Sequence, residues 1–269
     1  MSAIETRAPS QADAVHIGRA APPLLQSEHH GLCPGCGHPV GVRTVLEVLD
    51  ELKLVDRTIC VSGHGCYGIF SATMDIETIV TLHGRPPATA TGVKRMLPNS
   101  IVWTLQGDGD MVSEGLAEIM HTAARGERLT CILLNNGVFG DTGGQMTAMT
   151  VVGQRTKNTL QGREPNNHGF PIPIADIIAR FPGASYVARG SVHSASEVNR
   201  SKQLVRAAFR HQMAGTGFTL VELLTMCPTG WFVPASEGPD YLNDSMKAVY
   251  PLGVLKDSNI PSARTHVSS

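Results

Sequence analysis

Long apolar runs are missing from this chain, and nowhere do apolar residues continue for the ~18 positions a bilayer requires. The first residues also lack the charged-then-apolar order of a secretory signal. Excess charge is missing too. Lys and Arg number 22 against 23 Asp and Glu, a formal net charge of -1, which removes the electrostatic basis for holding a polyanion. With 42% hydrophobic residues, disorder is equally disfavoured. Internal repeats are absent. These absences lead us to expect a soluble, cytoplasmic chain with no nucleic-acid and no membrane partner.

What is present is enough length, 269 residues, to bury a large core, and one large domain fits that length. Its most informative stretch is 101–145. Ile101-Val102-Trp103-Thr104-Leu105 is an apolar, β-branched run, long enough for a buried strand and too short for a helix. Gly107-Asp108-Gly109-Asp110 follows, where glycines let the backbone turn sharply and approach a ligand. Leu116, Ile119, Met120 and Ala123 recur at helical spacing within 113–125, and a second apolar run spans 130–134. This is a βαβ unit. Its right-handed crossover places both strand ends on one sheet edge, the edge where open α/β sheets bind ligands. Asp108 and Asn136 should therefore be neighbours, and a carboxylate with an amide oxygen suits magnesium, which takes its remaining oxygens from a bound phosphate.

On either side the alternation of strand and helix continues. Residues 1–28 mix Ala, Pro, Ser and Gln without periodicity and are expected to form a flexible arm ahead of an α/β domain over 29–235. Val42, Val45, Leu46, Leu49 and Leu52 mark a helix face directly after Cys33-Pro34-Gly35-Cys36-Gly37, so this cysteine pair lies at a helix N-terminus, where the dipole favours thiolate. Strands are expected at 58–62 and 79–82, with a helix at 88–97 started by Pro87 and closed by Pro98. Residues 151–173 lack periodicity, the mark of a functional or mobile segment. Helical patterns at 175–181 and 196–213 alternate with extended ones at 184–188 and 218–224. Residues 236–269 are weakly patterned and are expected to form a tail that docks on a partner subunit.

Six cysteines stand at 33, 36, 60, 66, 131 and 227. Clustered cysteines in a long, cytosolic-looking α/β chain more often bind metal or do redox chemistry than form disulfides. Cys60 and Cys131 fall inside strands and read as small buried hydrophobes. Cys33, Cys36, Cys66 and Cys227 fall in loops expected at the ligand edge, and four thiolates can hold either zinc or an iron-sulfur cluster. Zinc sites more often show two paired motifs, so the two isolated cysteines lean towards iron-sulfur, with zinc or an inert role still open.

Gly107-Asp108-Gly109, then 25 residues from 110 to 134, then Asn135-Asn136, resemble the signature of thiamine diphosphate enzymes. The segment Gly140-Asp141-Thr142-Gly143-Gly144-Gln145 narrows the resemblance to the β subunit of 2-oxoacid:ferredoxin oxidoreductases of the 2-ketoisovalerate and 2-oxoglutarate type, over residues 33–231. The resemblance implies a mostly parallel sheet with helices on both faces, a thiamine diphosphate-binding α/β fold. It implies Mg2+ held by Asp108, Asn136 and the Val138 carbonyl; thiamine contacts from His64, Gly65, Cys66, Tyr67 and His83; and diphosphate contacts from Gly109, Asp110, Gly140 and Asp141. A 4Fe-4S cluster would be held by Cys33, Cys36, Cys66 and Cys227. Asp141 departs from relatives, which often carry an uncharged residue there, and a carboxylate beside a diphosphate is unfavourable unless it points away or is paired.

The implied activity is coenzyme A-dependent oxidative decarboxylation of a 2-oxoacid to acyl-CoA and CO2, possible in either direction, with electrons passed through the cluster to ferredoxin. No catalytic residue is assigned on this chain. The activating Glu is expected on an α subunit, with γ or δ subunits as further partners, so the isolated chain should be inactive. The alternatives are a non-redox thiamine diphosphate decarboxylase or ligase subunit with a structural zinc site, and a zinc-binding subunit whose Gly-Asp-Gly loop has lost the cofactor.

Overall fold

In the computed structural model, which describes residues 24–26 and 30–258, strand and helix alternate from residue 38 onward. The first half contains α1 (His38–Glu51), β1 (Thr58–Ser62), β2 (Glu77–Val80), α2 (Pro86–Met96), β3 (Ile101–Gly107), α3 (Leu116–Ala124) and β4 (Thr130–Asn135). Two short strands, β5 (Val138–Phe139) and β6 (Gln145–Met146), and two short helices, α4 (Pro165–His168) and α5 (Ile174–Ile178), lead on to β7 (Ala184–Ser191), α6 (Ala195–Ala214) and β8 (Phe218–Leu224). The described chain finishes with α7 (Pro228–Trp231), α8 (Gly238–Tyr241), α9 (Lys247–Val249) and β9 (Gly253–Asp257).

Seven of the strands form one sheet in the order β2-β1-β3-β4-β8-β7-β9, parallel throughout except for β9, which runs antiparallel to β7. The central strands are near-continuous apolar runs because helices cover both faces. The pleat sorts their side chains by alternation. Ile132 and Leu134 of β4, with Val221 and Leu223 of β8, join the cluster built by α1 and α6 around Trp103 and Phe209. Cys131 and Leu133, with Leu220 and Leu224, join the opposite cluster around Ile119, Ile174 and Ile178. Each such aliphatic side chain removed from water contributes about 1.5–3 kcal/mol. Cys60 and Cys131 are completely buried in these layers.

Several boundaries differ from the sequence expectation for identifiable reasons. α2 starts at Pro86, since proline fits the first helical turn where no N-H is needed. The helix expected from 113 is preceded by a wider π turn, Gly109–Glu114, so α3 proper starts at Leu116. α6 is capped at both ends: the Ser194 hydroxyl accepts from Glu197 N-H at 3.3 Å, and Gly215 ends it in the left-handed region at φ 67.

The expected arm lies mostly outside the described residues. Of it, Leu24 is buried, and the backbone of 24–26 pairs with Thr73, Met74 and Asp75. The expected tail is ordered through 258 and folds on this domain, because β9 supplies the edge pairing that β7 leaves open. Among the described residues no helix is long and apolar enough to cross a membrane.

Candidate functional site

Parallel strands bring their following loops to one edge, and here every loop of interest follows a carboxyl end: His64–Tyr67 after β1, His83 after β2, Asp108 after β3, Asn136 after β4 and Cys227 after β8. The first four of these loops enclose a cavity of about 390 Å³, within the size range of cofactor sites. Its lining includes His64, Gly65, Cys66, Tyr67, His83, Asp108, Gly109, Asp110, Asn136, Val138, Gly140 and Asp141, so all the residues expected around thiamine, diphosphate and magnesium meet in one place.

Asp108 anchors this cavity. Its Oδ1 accepts the Asn136 backbone N-H at 3.2 Å, and its Oδ2 accepts the Thr147 hydroxyl at 2.6 Å. Burial disfavours the charged form and pushes this carboxyl up to about 7, against the opposing pull of those two donors. A buried anion with an elevated pKa calls for a cation. Asn136 is held beside it, its Oδ1 accepting Val138 N-H at 3.0 Å and its backbone carbonyl accepting Trp231 Nε1-H at 2.8 Å. One carboxylate, one amide oxygen and a neighbouring backbone carbonyl form a hard oxygen set suited to magnesium.

Asp110 is differently placed. Its carboxylate receives Gly84 N-H at 2.5 Å, Gln106 Nε2-H at 3.1 Å and the Tyr67 hydroxyl at 2.7 Å, with His83 Nδ1 3.4 Å away. These partners make Asp110 a post that fixes the loops after β1, β2 and β3 relative to one another. Burial, with the Asp110 charge beside it, raises the Tyr67 hydroxyl pKa well above its usual value. His64 donates Nδ1-H to Thr81 O at 2.7 Å and lies 5.5 Å, ring to ring, from His83. Glu114, unassigned from the sequence, also lines the cavity, 3.6 Å from His83 Nδ1.

The four loop cysteines meet in a second, smaller cavity of about 90 Å³, bordered by Cys33, Cys36, Cys66 and Cys227. Gly37 makes this possible. Its N-H donates to Met226 O at 2.9 Å, and a Cβ at residue 37 would come within 2.5 Å of Met226 N, so only glycine lets the paired cysteines close on the loop after β8. Burial pushes Cys66 up to about 11 and Cys227 up to about 12, and raises Cys36 as well. For Cys36 the expected helix-end preference for thiolate is thus outweighed by desolvation, and a bound cation would be needed to recover it. Among the described residues no three His, Cys, Asp or Glu groups converge on a single-ion site. The four thiols border one common space, and all-cysteine ligation is compatible with an iron-sulfur cluster as with zinc.

The two cavities share a wall made of His38, Cys66, Asn136 and Gly140. Gly140 backs directly onto the sulfurs: a Cβ there would lie 3.3 Å from Cys66 Sγ and 3.6 Å from Cys227 Sγ. Asp141 is exposed beside it, and its charge adds to the rise of Cys66. His38 was not singled out from the sequence, although it directly follows the Cys-Pro-Gly-Cys-Gly motif that could have drawn attention to it. Its ring is buried and pushed down to about 4 by desolvation, so it is neutral.

The irregular segment 151–173 is organised around buried Arg163. Its guanidinium donates to the carbonyls of Thr147, Ala148, Thr150, His168, Gly169 and Phe170 at 2.6–3.4 Å. That network holds Thr147 against Asp108, a role that sequence patterning does not reveal.

Residues 61–223 match the family model described as thiamine pyrophosphate enzyme, C-terminal TPP binding domain. The chain is 32% identical over 225 residues to ketoisovalerate oxidoreductase subunit VorA of Methanothermobacter thermautotrophicus, covering 84% of this chain and 47% of that protein. It is 35% identical over 197 residues to 2-oxoglutarate synthase subunit KorB of Archaeoglobus fulgidus, covering 73% of this chain and 69% of that one. The chain thus spans about half the length of the VorA relative and two thirds of the KorB one. Among solved structures it is similar to 2-oxoglutarate:ferredoxin oxidoreductase from Magnetococcus marinus with 2-oxoglutarate, coenzyme A and succinyl-CoA bound, at a TM-score of 0.73 and 26% identity, over 88% of this chain and 85% of that one. The sheet edge, its paired cavities and these similarities lead to one assignment: the chain belongs to the thiamine pyrophosphate enzyme family, among the β subunits of 2-oxoacid:ferredoxin oxidoreductases.

Proposed function

We propose that this chain is the thiamine diphosphate-binding β subunit of an enzyme that oxidatively decarboxylates a 2-oxoacid to acyl-CoA and CO2 and passes the electrons through a 4Fe-4S cluster to ferredoxin. The observation that carries this reading is the shared wall, since Cys66, Asn136 and Gly140 border both the main cavity and the cysteine-lined one. Electron transfer between two centres needs them close, and one side-chain layer separates the two spaces.

Asp108, Asn136 and the Val138 carbonyl would hold magnesium, whose charge also offsets the burial of Asp108. Bound thiamine diphosphate supplies the nucleophilic carbon and the electron sink that decarboxylation requires. The residues of this chain bind and orient. Asp110 and Tyr67 lock the β1 loop so that His64 and Cys66 face the cavity, and His83 with Glu114 provides titratable groups on its wall. Cys33, Cys36, Cys66 and Cys227 would hold the cluster in the smaller space, which all four border. The carboxylate that activates the cofactor would come from a partner α subunit, and coenzyme A and ferredoxin would act on the assembled enzyme.

The test is turnover by the purified, co-expressed complex with pyruvate, 2-oxoglutarate and branched 2-oxoacids, each with coenzyme A and ferredoxin. Reduction of ferredoxin that requires both the 2-oxoacid and coenzyme A is the expected result, with iron and acid-labile sulfide present and no turnover by the isolated chain. Decarboxylation without electron transfer, in a protein containing zinc and no iron, would overturn it.

A further inference from the structure

We infer that His38 is a positioning residue serving both cavities: its Nδ1-H donates to sulfur of the group held by the four cysteines, while its Nε2 anchors the Asn136 side chain. The inference rests on the iron-sulfur reading above and adds a residue to it.

The ring's tautomer follows from its neighbours. Val138 N-H donates to Asn136 Oδ1 at 3.0 Å, which orients the amide with its oxygen towards Val138. Its nitrogen, Nδ2, then lies 3.2 Å from His38 Nε2. An amide NH2 only donates, so Nε2 is the acceptor, and a neutral imidazole that accepts at Nε2 carries its proton on Nδ1. Nδ1 is enclosed and has no hydrogen-bond partner among the described residues. Buried donors are almost always paired, so this N-H calls for an acceptor.

His38 supplies part of the lining of the cysteine cavity, where it stands two residues after Cys36 on the first turn of α1. Metal-bound sulfur carries negative charge and accepts N-H donors. Such a donor stabilises the more negative, reduced form of a cluster and so raises its potential. Tyr67 restrains the ring further, edge-on at 6.1 Å between centroids. The same imidazole thereby fixes Asn136, the amide assigned to magnesium, and one side chain sets both the tuning of one site and the geometry of the other.

The first test uses the anaerobically purified complex labelled with 15N-histidine. Pulsed EPR of the reduced cluster is expected to show one histidine nitrogen coupled to it through a proton that exchanges in D2O. Two isosteric variants separate the roles. His38→Gln retains an acceptor where Nε2 stood and is expected to lower the cluster's midpoint potential while leaving magnesium-dependent cofactor affinity close to wild type. His38→Asn retains a donor where Nδ1 stood and is expected to keep the potential while weakening cofactor affinity on the order of tenfold. Should either variant fail to load iron, the wild-type spectrum decides alone. A cluster with no histidine coupling overturns this inference and leaves the proposed function standing, whereas a protein without iron overturns both.

Discussion

Thr147 Oγ1 donates to Asp108 Oδ2 at 2.6 Å, linking the irregular segment after β6 to the carboxylate at the end of β3. The bond opposes the desolvation that pushes Asp108 up to about 7. Magnesium binds the deprotonated carboxylate, so protons compete with it below that pH. Apparent Mg2+ affinity should fall by about tenfold per pH unit below 7 and level off above it. In Thr147→Val the lost donor raises the carboxyl further, and the midpoint of this pH dependence should move upward. Titrating magnesium-dependent thiamine diphosphate binding from acid to neutral pH measures both.

Replacing Asp108 itself should be more severe. Asp108→Ala removes the only carboxylate of the proposed oxygen set, and magnesium-dependent cofactor binding should weaken by about 100-fold or more, since even loss of outer partners costs 10–100-fold. Calorimetric titration of the variant checks this, and unchanged affinity would remove Asp108 from the metal site.

Gly140 is tightly packed on its sulfur-facing side, where a Cβ would meet Cys66 Sγ at 3.3 Å and the sulfur would have to give way. Gly140→Ala should crowd the cysteine cavity and lower iron bound per chain, with the sheet intact by circular dichroism. Iron and sulfide analysis after anaerobic purification reads the effect directly.

Arg189 is wholly buried between Glu222 at 2.8 Å and Asp176 at 2.6 Å, and Glu222 in turn accepts from Asn135 Nδ2 at 2.8 Å. Arg189→Met would strand the buried Glu222 carboxylate and should cost about 3–5 kcal/mol in denaturant unfolding. The double variant Arg189→Met with Glu222→Gln should recover part of that loss, because the uncompensated charge is gone.

Arg163→Met removes the donor shared by the carbonyls around residues 147–170. Each carbonyl left unpaired and buried costs about 1–3 kcal/mol. Hydrogen exchange should show the segment opening, and cofactor affinity should fall with it, because Thr147 loses its support.

Much of the fold was legible in the sequence because its central strands are buried on both faces and so read as near-continuous apolar runs, Ile101–Gly107, Thr130–Asn135 and Phe218–Leu224 among them. The helix face of Val42, Val45, Leu46 and Leu49 was equally plain, since one side of α1 is packed and the other wet. Residues 236–258 were not, because β9 is held by edge pairing to β7 and leaves only a weak mark in side-chain pattern.

By itself the sequence determined which loops share one sheet edge: Asp108 and Asn136 follow parallel strands, and chain direction obliges their loops to meet. Only the tertiary structure decided what lies between those groups. Two cavities share one wall, Asp110 is taken up by donors from two loops and from β3, and Thr147, Arg163 and His38 support the site from positions with no periodic signature. Periodicity reports which way a side chain faces relative to the core. Contacts between loops depend on distances set by the whole sheet, and no local pattern encodes them.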